Sequence, residues 1–235
     1  MLYKIILFLL LGAVSCAVLP AEKCKLEDSS CMAQAFQKAI PIFMAGMPEY
    51  GVEVLDVMEL DPLKFELAGL KFSLKDGRVK GLKNSLIKNI KWDLKGKKLN
   101  VVFHFDASIK GHYTADGRIL ILPISGDGQM KLKLKNLEIG LELKYEMEER
   151  DGKKHIAPKS YTYKYEVKDG ANFDLTNLFN GNKELSDPML IFLNDNWKQI
   201  TEEFGGPMIK VSSKKIFDNI VRFFAKNPIS EIALL

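Results

Sequence analysis

The sequence predicts an α+β fold: a long C-terminal α-helix wrapped by a highly curved antiparallel β-sheet, in an elongated body with an internal hydrophobic tunnel. In Met130–Glu148 apolar and polar residues alternate, which is typical of a strand with one apolar face. In Pro188–Phe224 apolar residues recur at helical spacing. These segments would span about 60 Å and about 55 Å, against a radius of gyration of about 17 Å for a compact chain of this size. We therefore expect the two apolar faces to lie against each other along a slender body.

The amino terminus has the pattern of a secretory signal peptide. Lys4 precedes the apolar run Ile5–Val14, and small residues follow it. The run is shorter than the ~20 residues that span a bilayer, so a signal peptide at residues 1–17 is favoured over a membrane anchor. Cleavage there would leave residues 18–235 as a single domain of a secreted, extracellular protein.

The charge of the chain is modest and evenly spread. The formal net charge is +4, and it would fall to +3 once Lys4 is removed with the signal peptide. Most lysines alternate with apolar residues along predicted strands and have acidic neighbours. This pattern indicates a solvated outer face, and it argues against a nucleic-acid-binding groove.

Two cysteines remain in the predicted mature chain, Cys24 and Cys31. In an oxidising compartment we expect them to form a disulfide, which would hold the amino terminus in place and contribute about 2–3 kcal/mol. A metal site is the competing interpretation. The histidines His104, His112 and His155 are not at ligand spacing from the cysteines, so we predict no metal.

A helix is predicted after the cysteines. Ser29 or Ser30 can cap it, Pro41 should kink it and Pro48 should end it. Its apolar positions follow helical spacing: Met32, Phe36, Ile40, Phe43 and Met47.

From Val52 to about Val167 the periodicity changes to two, which predicts a meander of long strands. The clearest strand is Lys98–Lys110, with His104 on its solvent-facing side. Phase slips at Gly69 and at Lys135–Asn136 are interpreted as bulges that bend the sheet. Further strands are predicted from Phe65 to Phe72 across the Gly69 slip, at Leu86–Leu94 and at Tyr161–Val167.

Four short motifs are predicted to be reversals between antiparallel strands. They are KDGR at Lys75–Arg78, ADGR at Ala115–Arg118, SGDG at Ser125–Gly128 and RDGK at Arg150–Lys153.

The carboxyl end returns to helical spacing. A start at Ser186–Pro188 places proline in the first turn, and Gly205–Pro207 should kink the helix without necessarily ending it. The stripe comprises Leu193, Trp197, Ile200, Phe204, Met208 and Val211, and continues through Ile216, Ile220 and Phe223 or Phe224.

A curved sheet around one helix leaves an apolar space that can take a hydrophobic ligand. For each predicted lining residue, an ordinary core position is equally consistent with the sequence. The set is Phe36, Ile40, Phe43, Met47, Phe103, Phe105, Leu132, Leu134, Ile139, Leu141, Ile200 and Phe204.

Motifs for catalysis are absent from the sequence. It contains no Gly-x-Ser-x-Gly elbow, no phosphate-binding glycine loop and no zinc-binding helix, so we predict neither enzymatic activity nor a cofactor. The first functional hypothesis is a carrier that holds a long apolar molecule inside and acts as a monomer. The second is a module that contacts membranes, transiently, or another protein through its lysine-rich exterior, which is prompted by Lys131–Lys135.

Several segments resemble the insect takeout and juvenile hormone-binding protein family. They are the cysteine pair, ELDPLKFEL at Glu59–Leu67, the segment at residues 79–94, and LSDPMLIFLNDNWKQITEEFGGPMIK at residues 185–210. The sequence NDNW at Asn194–Trp197 is the most specific of these. The likeness covers nearly the whole predicted mature chain.

This resemblance implies a secreted lipid carrier of the tubular lipid-binding type, in which a curved sheet wraps a long helix around a tunnel. It also implies that Cys24 and Cys31 correspond to the amino-terminal cysteine pair of the family. The family's hormone carriers have a further cysteine pair that this chain lacks, which places it nearer the takeout branch. The ligand class implied is a fatty acid, a terpenoid or a juvenile hormone-like lipid.

Overall fold

The computed structural model describes residues 22–234. The predicted signal peptide at residues 1–17 therefore lies outside the described residues. No helix in the described part of the chain is long and apolar enough to cross a bilayer.

Nine strands and five α-helices make up this part of the chain. The strands are β1 (Cys24–Lys25), β2 (Met58–Glu59), β3 (Leu63–Leu67), β4 (Leu70–Lys80), β5 (Leu86–Asp93), β6 (Lys98–Ile119), β7 (Leu122–Arg150), β8 (Lys153–Leu175) and β9 (Ala233–Leu234). The helices are α1 (Ser29–Ala45), α2 (Lys183–Asp195), α3 (Trp197–Phe204), α4 (Gly206–Lys226) and α5 (Ile229–Ile232). We call α2, α3 and α4 together the helical rod.

A seven-stranded antiparallel sheet holds strands β2 to β8. Strands β6, β7 and β8 form its centre, and β4 and β5 share the free side of β6, each pairing with one half of it. Strands this long fit a domain of this size only if the sheet curls, and register shifts in the β4–β6, β5–β6, β6–β7 and β7–β8 pairings are the bulges that allow it.

The phase slip predicted in Met130–Glu148 is one of these bulges. Strand β7 passes through the whole segment, and its pairing with β8 shifts between Lys135 and Leu137. Asn136, the extra residue, has a positive φ of 51°, which asparagine tolerates better than most residues. Its backbone N–H donates to the Asp106 carboxylate, which replaces the missing ladder bond.

Three of the four predicted reversals are wrong, because their residues lie inside continuous strands. KDGR (Lys75–Arg78) is a bulge in β4, ADGR (Ala115–Arg118) lies near the end of β6, and SGDG (Ser125–Gly128) lies in β7. Aspartate and glycine favour positive φ in a bulge as readily as in a turn, and Asp76 has a φ of 52°.

A different reason applies to the glycines of SGDG. A Cβ atom at Gly126 would lie 2.5 Å from the Tyr113 hydroxyl, and one at Gly128 would lie 2.4 Å from the Thr176 carbonyl oxygen. Glycine is required there because neighbouring groups approach closely, and the chain does not reverse. RDGK (Arg150–Lys153) does form the predicted hairpin, between β7 and β8.

The slip predicted at Gly69 is itself a reversal. Ala68 and Gly69 have φ angles of 50° and 83° and join β3 to β4 as a two-residue hairpin loop. The prediction of one strand from Phe65 to Phe72 is therefore wrong. Another tight turn, Leu120–Ile121 between β6 and β7, was not predicted because it contains no glycine, proline, asparagine or aspartate.

Helix α1 covers the predicted segment with different ends. Its N-cap is Asp28, whose carboxylate accepts from the backbone N–H groups of Ser30 and Cys31. Pro41 lies inside the helix, as predicted, and the helix ends at Ala45, before Pro48. The cap is therefore Asp28, and the two serines expected to cap the helix are its first two residues.

The helical rod begins earlier than predicted. Asn182 caps α2, which starts at Lys183 and carries Pro188 within it. The rod is interrupted at Asn196, a break that was not predicted, and at Gly205. Gly205 keeps helical angles (φ −72°, ψ −26°), so the helical path continues through Gly205–Pro207 as predicted.

The apolar faces of the sheet and rod meet in one interior. A first cluster joins residues of β6 and β7 to Ile200, Phe204 and Met208 of the rod. A second cluster joins α1, the carboxyl-terminal end of α4 and the residues around the disulfide. The predicted architecture, a curved antiparallel sheet wrapped around a carboxyl-terminal helix, is confirmed.

The predicted disulfide is present between Cys24 and Cys31, whose Cα atoms are 5.8 Å apart. Cys24 also pairs with Ala233, which joins β1 to β9 in a small parallel sheet. The disulfide therefore ties β1 to the first turn of α1, and the strand pairing places β1 beside β9.

Candidate functional site

Two apolar cavities follow one another inside the sheet. The one beside α3, which we call the α3 cavity, has a volume of about 110 Å³, counted as the space open to the centres of water molecules. The one beside α1, which we call the α1 cavity, has about 200 Å³ by the same measure. A single water needs only about 10–15 Å³ on this scale, so both are much larger than packing defects. They are neighbours, because Leu137 of β7 lines the first and Ile139, two residues along the same strand face, lines the second.

Strands and rod together form the walls of the α3 cavity. Its polar groups are occupied within the protein. The Tyr113 hydroxyl donates to the Thr176 carbonyl at 2.8 Å, and the Tyr165 hydroxyl donates to the Thr201 carbonyl at 3.1 Å. The Thr201 hydroxyl donates to the Lys198 carbonyl at 3.0 Å. The hydroxyl donors of this cavity are therefore used within the protein, and the rest of its wall is almost entirely hydrocarbon.

Burial raises the pKa of two tyrosines of this cavity. Desolvation, with a smaller contribution from the Asp127 carboxylate, raises the pKa of Tyr113 to about 12. Desolvation also raises the pKa of Tyr165, with smaller contributions from Tyr163 and Glu202. Both phenols therefore stay uncharged to a higher pH than an exposed tyrosine does.

The α1 cavity lies between one face of α1, one face of α4 and the strands β5, β6 and β7. Its α4 wall consists of residues three or four apart on one helix face: Ser213, Ile216, Phe217, Ile220, Phe223 and Phe224. Glu22 and Glu231 also line it and are exposed to solvent, so they mark where the cavity reaches the surface.

Most of the residues predicted from the sequence lie on these walls. Phe36, Ile40, Phe43, Phe103, Ile139 and Leu141 line the α1 cavity. Leu132, Leu134, Ile200 and Phe204 line the α3 cavity. The predicted set is thus divided between two adjoining cavities.

Met47 and Phe105 line neither cavity. Met47 lies beyond the end of α1, where its backbone pairs with Val52, and its side chain is 5% exposed in the core. Phe105 borders the β6 bulge, is buried, and stacks on Phe103 with 6.0 Å between ring centroids. Helical spacing predicted that Met47 would line the interior space, and strand alternation predicted the same for Phe105. Both side chains instead fill the core.

Ser213 is the cavity residue that sequence reasoning missed most completely. It lies on the apolar face of α4, but a serine on an amphipathic helix is usually interpreted as part of the solvent face. Its position four residues before Phe217 and seven before Ile220 was the available signal.

The three histidines have structural partners. The Nδ1 atom of His104 lies 2.8 Å from Asn136 Oδ1, and His155 Nδ1 lies 3.1 Å from the Phe224 carbonyl oxygen. His112 pairs with Asp127 at 3.1 Å. Within residues 22–234 no three histidine, cysteine or acidic side chains are grouped as a metal site.

The NDNW segment has a clear structural role. The side-chain oxygen of Asn194 accepts from the backbone N–H of Phe173 at 2.8 Å, and its amide donates to the Phe173 carbonyl at 3.0 Å. The same amide donates to the Leu190 carbonyl at 2.8 Å. Asn194 thus fastens α2 to strand β8 and holds the rod against the sheet.

Comparison with known proteins assigns the chain to a family. The structure of Takeout 1 from Epiphyas postvittana superposes with a TM-score of 0.90 at 62% identity, covering 92% of this chain and all of that one. The circadian clock-controlled protein daywake of Drosophila melanogaster is 31% identical over 233 residues, 91% of this chain and 89% of daywake. A putative beta-carotene-binding protein of Schistocerca gregaria is 28% identical over 116 residues, 46% of this chain and 45% of that protein. The model of the haemolymph juvenile hormone binding protein family matches residues 5–234, and this chain belongs to that family.

Proposed function

We propose that the protein is a secreted carrier that holds a long hydrophobic small molecule in its two internal cavities. The observation that carries this proposal is the pair of adjoining cavities, whose walls are almost entirely apolar. Removing an apolar molecule from water into such walls stabilises the complex by about 25 cal/mol per Å² of buried apolar surface. The family, named for binding juvenile hormone, and the relative named for binding beta-carotene support it.

The ligand class is a fatty acid, a terpenoid or a juvenile hormone-like lipid. We further propose that residues 1–17 are a cleaved signal peptide and that residues 18–235 act as one domain, as a monomer. Neither a cofactor nor a catalytic step is needed for this function. Extraction of the protein with organic solvent, followed by mass spectrometry, would identify the molecule carried.

A cavity-filling substitution tests the carrier function. Ala39 of α1 lines the α1 cavity, whereas Ala45 lies on the same helix, is exposed and lines neither cavity. We expect Ala39→Trp to weaken binding of the fluorescent probe N-phenyl-1-naphthylamine at least tenfold, because the indole occupies the space of the guest. Ala45→Trp should bind like the wild type. Equal binding by all three proteins, or no saturable binding by the wild type, would contradict the carrier function.

A second candidate function uses the outer face of the sheet. Arg78, Lys80, Lys110, Lys131 and Lys133 lie on adjacent strands there, and we call them the basic patch. Lys110 is directly opposite Arg78 on one side and Lys131 on the other. Like charges in these positions repel each other, and within the described residues Lys80, Lys110, Lys131 and Lys133 have no ion-pair partner. The partner that fits this surface is an anionic membrane, at which a lipid carrier would load or unload.

Vesicle sedimentation tests the basic patch. The double variant Lys110→Glu with Lys131→Glu should lose binding to phosphatidylserine-containing vesicles at low salt and keep binding of the naphthylamine probe. The matched control, Lys198→Glu with Lys210→Glu, changes the net charge equally on exposed residues of the rod. Salt should abolish the wild-type interaction because the charges are exposed. Equal loss in the control would show that net charge alone matters and would contradict the assignment.

A further inference from the structure

Ser213 lines the α1 cavity, and its hydroxyl takes part in none of the side-chain hydrogen bonds found among the described residues. It is 8% exposed and lies on the cavity wall in the middle of α4. The other buried serine of this wall, Ser85, donates its hydroxyl to the Leu82 carbonyl at 2.6 Å. The neighbouring Ser212 donates to the Met208 carbonyl at 3.0 Å, as helix serines commonly do. The Ser213 oxygen is not among the fully enclosed unpaired side-chain atoms of the described residues, so it is open to the cavity, and a ligand oxygen placed there would gain a hydrogen bond.

The charges around the cavity restrict what that ligand can be. The charged residues lining it are both acidic, Glu22 and Glu231, and no cation lines it in the described part of the chain. Nearby lysines have other partners: Lys153 pairs with Glu231 at 3.9 Å, and Lys23 donates to the Ser230 carbonyl at 2.8 Å. An ionised carboxylate brought inside would therefore lose its hydration without gaining a counter-ion.

We infer that Ser213 binds the uncharged oxygen of an amphiphilic lipid, an alcohol, ketone or ester, and that the α1 cavity discriminates against the corresponding carboxylate. This inference rests on the proposed carrier function and narrows its ligand class. The hydroxyl of Ser213 donates to the ligand oxygen, or accepts from it when the ligand is an alcohol. The apolar walls hold the chain of the ligand, and Ser213 fixes its polar end.

The test compares three ligands that share one chain: dodecan-1-ol, dodecane and dodecanoate at pH 8. Each displaces N-phenyl-1-naphthylamine from the wild type and from Ser213→Ala, Ser213→Thr and Ser212→Ala. For dodecan-1-ol and dodecane, the variants are compared for one ligand at a time, which cancels the difference in solubility between the two, and dodecanoate is compared with dodecan-1-ol on the wild type alone. Ser213→Thr retains a hydroxyl and serves as the conservative rescue, and Ser212→Ala makes the same change on the same helix without touching the cavity.

Ser213→Ala should weaken binding of dodecan-1-ol about 3- to 10-fold, the value of one hydrogen bond, and leave dodecane binding unchanged. Ser213→Thr and Ser212→Ala should bind dodecan-1-ol like the wild type, and dodecanoate should bind the wild type more weakly than dodecan-1-ol. An equal effect of Ser213→Ala on alcohol and alkane, or dodecanoate binding as tight as the alcohol, would overturn the inference and leave the carrier function standing. Failure of all three ligands to bind the wild type would overturn both.

Discussion

At the scale of single residues, the clearest prediction concerns Asn194. Asn194→Ala removes the bonds that hold α2 against strand β8 and leaves the N–H and carbonyl of Phe173 without these partners. We expect the free energy of unfolding to fall by about 1–3 kcal/mol, the cost of leaving such groups unpaired. Urea denaturation measures it. Asn172→Ala, which removes only one exposed contact with Asn194, is the control, and an equal loss in both variants would contradict this role.

The phenol of Tyr113 predicts how stability changes in alkali. Its side chain is fully buried and its pKa is raised to about 12, whereas in the unfolded chain it titrates near its usual value of about 10. Between these pH values the unfolded state has released the proton and the folded state has kept it. The group therefore makes the free energy of unfolding fall as pH rises from about 10 to about 12, by at most about 1.4 kcal/mol per pH unit.

Tyr113→Phe should lack this contribution. Its stability at pH 7 should be lower by about 1 kcal/mol, because the hydrogen bond to the Thr176 carbonyl is lost, but the difference from wild type should shrink above pH 10. Urea unfolding at pH 8 and at pH 11 measures this. Curves that remain parallel would mean that the phenol is not buried in this way.

Individual positions were predictable from the sequence where one periodicity governed them, as for Ile200 and Phe204 on the rod or Leu132 and Leu134 on β7. They were not predictable where the role depends on distant contacts. Ser213 faces a cavity that exists only after α1, α4 and the sheet have assembled. Which of the adjacent residues Asp28, Ser29 and Ser30 caps α1 depends on side-chain geometry that spacing does not determine.

At the scale of elements, the types of the main helices and long strands followed from periodicity, but most of the reversals between strands did not. The motif at Lys75–Arg78 bulges and the one at Arg150–Lys153 turns, although both place aspartate before glycine. The difference lies in the partners: both flanks of the first pair with β6, whereas the flanks of the second pair with each other. Local sequence fixes the allowed φ angles, and long-range pairing decides how they are used.

The disulfide allows a prediction at this scale. The Cys24→Ser, Cys31→Ser double variant should lose about 2–3 kcal/mol of stability by the loop-entropy estimate, and its unfolding should stay cooperative because both core clusters extend far beyond the bond. Urea denaturation of the variant and of the oxidised wild type measures the loss, and the wild type reduced with dithiothreitol should match the variant. If the variant matched the oxidised wild type, the bond would not constrain the amino terminus as described.

At the scale of the whole molecule, the curved sheet around a helical rod was predictable because the β7 segment and the rod are each too long for a sphere and each carry one apolar face. The division of the interior into two cavities was not predictable from the sequence. Alternation shows which side chains face inward, but Phe105 fills the core while Phe103, on the same face, lines a cavity. The pairing of β6 with β7 shifts register directly after Phe105, between Phe105 and Ala107.

The position of a heavy atom on a bound lipid tests the carrier account most directly. Crystals grown with 12-bromododecan-1-ol would locate the bromine by its anomalous scattering. The account predicts a bromine peak between the sheet and the rod, among the walls of the α3 cavity or the α1 cavity. Bromine found only on the outer surface, with both cavities closed by side chains, would contradict it.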